Sequence, residues 1–79
     1  MSNHAAALSK DRFAFHVVPV DRVWKVAMPG DSVPVSLHAD KQAAIARALE
    51  LARRAGGLDV LVCRTDGSIE TEFSTSAVA

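Results

Sequence analysis

Residues Val60 to Phe73 read VLVCRTDGSIETEF, with Asp66-Gly67 between two strand-like runs. Asp-Gly flanked by alternating residues is a strong local signal for a hairpin. With Asp66 and Gly67 as the two central residues of a tight turn, Thr65 faces Ser68. The remaining pairs follow: Arg64 with Ile69, Cys63 with Glu70, Val62 with Thr71, Leu61 with Glu72 and Val60 with Phe73. This register gathers Val60, Val62, Ile69 and Phe73 on one face, where a one-residue slip would scatter them. Leu61, Cys63, Glu70 and Glu72 form the other face, a candidate interface.

The same register weighs against catalysis by Cys63, the only cysteine. A reactive cysteine needs its thiolate stabilised by positive neighbours or a helix N-terminus. Here it is expected opposite one glutamate and diagonal to another, and negative charge raises a thiol pKa.

Upstream of the hairpin, Ala44, Ile45, Ala48, Leu49, Leu51, Ala52 and Ala55 recur at helical spacing, predicting an amphipathic helix over 41–55. Asp40 is a cap residue, Arg53 and Arg54 suit the C-terminal end of the dipole, and Gly56-Gly57 stops the helix. Its alanines imply close approach to a sheet.

Three strand candidates come first. FAFHVVPV (13–20) alternates, but both faces are apolar and neither is singled out, and Pro19 is expected to end the strand or place it at an edge. VWKVAM (23–28) sets Trp24, Val26 and Met28 on one face, the inner one because Trp24 carries the largest apolar area. After a turn at Pro29–Ser32, VPVSLH sets Val33, Val35 and Leu37 against Pro34, Ser36 and His38, a half-buried edge-strand pattern. The order β-β-β-α-β-β predicts an α+β, two-layer fold with a mostly antiparallel sheet and one helix on one face. The domain is expected over 12–75, between tails at 1–11 and 76–79.

The motifs in this order resemble the small bacterial family called domain of unknown function 2188. The likeness rests on His16-Val17-Val18-Pro19, Trp24 and Val26, the capped helix with Ala44-Ile45, Ala48 and Leu51-Ala52, and Asp66-Gly67 followed by Ile69. It runs from about Phe15 to Phe73 and implies a fold without implying an activity. Family members often carry a Gly-rich turn where this chain has Val20-Asp21-Arg22-Val23, a Thr cap where it has Asp40, and a strand His where it has Cys63.

Composition narrows the function further. Nine basic and nine acidic residues cancel in this chain of 79, whereas binding through phosphate neutralisation favours a basic surplus. A single cysteine forms no internal disulfide, the N-terminus lacks a signal-peptide pattern, and no stretch approaches the roughly 20 apolar residues of a membrane span. The three histidines, His4, His16 and His38, have no close ligand spacing.

The expectation is a non-enzymatic cytoplasmic interaction module without a cofactor, acting as a homodimer because one helix cannot cover five strands. One alternative is a nucleic-acid accessory protein using a basic patch of Lys41, Arg47, Arg53 and Arg54. Another is a minor metal or thiol site on the outer sheet face, combining His16, Cys63 and Glu70.

Overall fold

The computed structural model describes residues 14–30 and 33–75. The expected tails, His4, Arg12, Phe13 and the Asp31-Ser32 part of the turn lie outside the described residues. The elements run β1 (Ala14–Val20), β2 (Val23–Ala27), β3 (Ser36–His38), α1 (Lys41–Arg54), β4 (Asp59–Cys63) and β5 (Ile69–Ser74). They form the expected α+β arrangement: a five-stranded sheet in the order β3-β2-β1-β4-β5 with α1 on one face. Three neighbouring pairs are antiparallel, and β1 with β4 is parallel. A parallel pair needs a long crossover, which the path through β2, β3 and α1 provides.

The helix begins where its chemistry directs. Asp40 is extended, and its Oδ2 accepts the Ala43 N–H at 3.0 Å. It ends at Arg54 with Ala55 as its C-cap, and Gly56 follows with φ +102°, a backbone conformation that favours glycine. Ala44, Ala48 and Ala52 are fully buried against Phe15, Val17, Val26, Val60 and Val62. Spaced by four, they form one ridge, and short side chains let that ridge approach the valines closely. Trp24, Met28, Ile45, Leu49, Leu51, Leu58 and Phe73 close the margin.

Trp24 and Val26 face the helix as expected, and the β1 face left open by sequence resolves to Phe15 and Val17 inward. Pro19 neither ends β1 nor puts it at an edge, because β1 is the central strand and continues to Val20. The proline is tolerated because it lies beyond Val17, the last residue paired with β4. The turn after β1 is Asp21-Arg22, with Val20 opposite Val23 and Asp21 at φ 55°.

The third strand is also corrected. Only Ser36–His38 joins the ladder, and pairing with Trp24 and Val26 turns His38 and Ser36 toward the helix side, where they hydrogen-bond at 2.9 Å. Leu37, opposite Lys25, takes the far face and is 58% exposed, and Val33 and Val35 are exposed as well.

The C-terminal hairpin keeps part of the expected register. Val60–Phe73, Leu61–Glu72 and Val62–Thr71 pair as Asp-Gly implies, but Cys63 faces Ile69 instead of Glu70. Arg64 N–H donates to the Ser68 carbonyl and Gly67 N–H to the Arg64 carbonyl, so the loop is the three residues Thr65, Asp66 and Gly67. Gly67 has φ +91° while Asp66 is not left-handed, the combination of a three-residue loop rather than a two-residue turn with positive φ at both centres. Glu70 is the extra residue of a bulge that restores the register beyond it. Ile69 consequently faces away from the helix, 49% exposed, rather than inward.

Ala48→Leu should overpack the buried ridge and destabilise the fold by about 1–3 kcal/mol. Urea unfolding followed by Trp24 fluorescence checks this; an unchanged midpoint would contradict close helix–sheet packing.

Candidate functional site

The face away from α1 is assembled by strand register. Leu37 on β3 lies opposite Lys25 on β2, and Lys25 opposite Val18 on β1. Val18 follows Val17, which pairs with Val62, so the row continues to Cys63 and its partner Ile69. The next row holds Ala27, His16, Leu61 and Glu72. Chemistry-bearing groups are thus interspersed among valine, leucine and alanine.

Within the expected interface the four residues differ sharply. Leu61 and Cys63 are 2% and 6% exposed, whereas Glu70 and Glu72 are exposed. The Cys63 Sγ lies 3.9 Å from the Leu61 carbonyl, to which its thiol donates weakly. The bulge separates the two glutamates in role. Glu72 stays on the far face, while Glu70 reaches the helix side, its Oε1 2.7 Å from Lys41 Nζ. Lys41 also lies over the Trp24 ring, 5.5 Å from its centroid, so one ammonium links α1 to β2 and β5. The Lys41 hydrogen bond lowers the Glu70 pKa against a smaller opposing desolvation. At the hairpin tip, hydrogen bonds from the Ser68 hydroxyl and backbone N–H likewise lower that of Asp66.

The zinc-like combination of His16, Cys63 and Glu70 does not assemble, because the bulge sends Glu70 to Lys41. Among the described residues, no three His, Cys, Asp or Glu side chains come close enough to hold a metal ion. His38 bonds to Ser36 at the sheet margin. The expected basic patch is largely paired: Glu50 accepts from Arg47 at 2.9 Å and from Arg54 at 3.0 Å, and Lys41 holds Glu70. Arg53 is exposed beside them.

Sequence reasoning did not bring His16 and Lys25 together. Val18 opposite Lys25 and His16 opposite Ala27 make them diagonal neighbours, and a cavity of about 200 Å³ opens over them. The signal was the length of the Asp21-Arg22 turn, which sets this register.

The model of the family described as "Uncharacterized protein conserved in bacteria (DUF2188)" matches residues 15–75. The chain belongs to that family. The match spans every element described above except Ala14, the first residue of β1. No curated protein and no solved structure matches the chain. Among the described residues, no helix is long and apolar enough to cross a membrane.

Because the depressed Glu70 pKa makes its ion pair favour the fold above the ordinary carboxylate range, that contribution is lost as pH falls through the folded-state value. Glu70→Gln should therefore be less stable than the parent at neutral pH, with the difference shrinking in acid. Urea midpoints at neutral and acid pH check this; a pH-independent difference would contradict the ion-pair assignment.

Proposed function

We propose that the protein is a non-enzymatic bacterial interaction module that acts in the cytoplasm as a homodimer. The observation that carries this reading is the exposure of Val20, Leu37 and Ile69 on the face away from the helix. A sheet of five strands is about 20 Å wide, while a helix covers about 10–12 Å. Ala14, Leu61 and Cys63 are buried on that face, so its exposed apolar groups lie at the margin rather than at the Leu61–Cys63 surface.

A second copy fits the margin by symmetry. A twofold axis along the central strand β1, lying in the contact plane, places β3 of one copy over β5 of the other. Leu37 and Ile69 occupy opposite ends of one transverse row, so each Leu37 meets Ile69 of the other copy. Such an isologous contact needs no additional partner. The pairing of Arg47, Arg54 and Lys41 with carboxylates supports a protein surface over a phosphate-binding one.

Sedimentation equilibrium across micromolar concentrations should give twice the monomer mass, and Leu37→Glu should shift the protein to monomer without loss of helix signal. A parent protein monomeric throughout the range would overturn the homodimer.

A further inference from the structure

The cavity over β1 and β2 combines two hydrogen-bonding side chains with an apolar wall. His16 and Lys25 line it together with Val18, Ala27 and Met28, and Pro29-Gly30 forms its rim. Two observations distinguish it from an ordinary surface hollow. His16 Nε2 is buried and has no hydrogen-bonding partner, although buried polar groups are generally satisfied. Lys25 is half-buried, and among the described residues no carboxylate lies within ion-pair distance of it. Glu72, the acid in the same transverse row as His16, is two strands away, on β5.

The chemistry of these groups selects the ligand. Lysine offers only donors, and a neutral imidazole offers one N–H. The uncompensated Lys25 ammonium calls for a negative acceptor, and a His16 N–H turned toward the cavity would add a second donor to it. A half-turn of the imidazole about Cβ–Cγ exchanges Nε2 with Cε1 and keeps the outline of the ring, so the nitrogen can change sides without repacking. Val18, Ala27 and Met28 supply apolar surface for a short hydrocarbon portion. The volume, about 200 Å³, is below that of drug-sized pockets and restricts the ligand to a few heavy atoms.

We propose that this cavity binds a short-chain carboxylate. The carboxylate accepts hydrogen bonds from the Lys25 ammonium and the His16 imidazole, and its alkyl portion lies on Val18, Ala27 and Met28. The cavity lies on the face that the homodimer covers, so a second copy would enclose it; the ligand titration reads the site and sedimentation reads the dimer, so each can fail without the other.

Propionate titrated into the full chain tests this, read by backbone amide spectra and by the ring nitrogens of His16, with chloride at equal ionic strength as reference. Saturable shifts confined to β1, β2 and residues 28–30 are expected, together with a change at the His16 ring. Lys25→Met, which keeps the aliphatic bulk, should weaken affinity about tenfold or more through loss of a charge-assisted bond. His16→Asn should also weaken it, and propionamide, the uncharged isostere, should not saturate. An absence of saturable shifts beyond chloride would overturn the site, as would retained affinity in Lys25→Met or equal binding of propionamide. Inorganic phosphate binding as tightly as propionate would overturn the role of the apolar wall.

Discussion

The fold depends on how closely one short helix can approach the sheet. Ala44, Ala48 and Ala52 present a ridge with nothing beyond Cβ, and the facing surface consists largely of valines from three adjacent strands. Each alanine contributes little buried area by itself. Its effect is indirect, since the small side chains let Val17, Val26, Val60 and Val62 reach complete or near-complete burial from one side. Larger residues along the ridge would hold the helix off and expose the strands at its margins.

That constraint leaves the two faces of the sheet with different tasks. The helix side is mainly apolar, with the Lys41–Glu70 ion pair at its margin and Lys41 lying over Trp24. The opposite side mixes buried and exposed apolar groups with His16, Lys25 and Glu72. The β5 edge carries charge and a bulge, both features that discourage edge-to-edge pairing, whereas the far face retains exposed leucine and isoleucine. The proposed association is therefore better served by the face than by this edge.

The bulge at Glu70 shows how a small backbone feature redistributes chemistry. With an uninterrupted two-residue turn, Cys63 would face a glutamate and Ile69 would enter the core. The three-residue loop and compensating bulge reverse both outcomes, pairing Cys63 with Ile69 and freeing Glu70 to meet Lys41. Asp-Gly correctly indicates a hairpin, and the pairs beyond the bulge keep the expected register. The dipeptide is compatible with more than one loop length, and the choice depends on which side chains the flanking strands can bury.

Local chemistry alone determined the helix, its Asp40 cap and glycine stop, the inward direction of Trp24, and the order of the strands along the chain. These follow from period, capping and turn propensity, which act over a few residues. Only tertiary structure decided that Pro19 lies in the central strand, that Leu37 and Ile69 face away from the helix, and that His16 adjoins Lys25. Each depends on which strand lies beside which and in what register. Those choices are made by contacts between residues distant in sequence, where packing against one alanine ridge outweighs local preference.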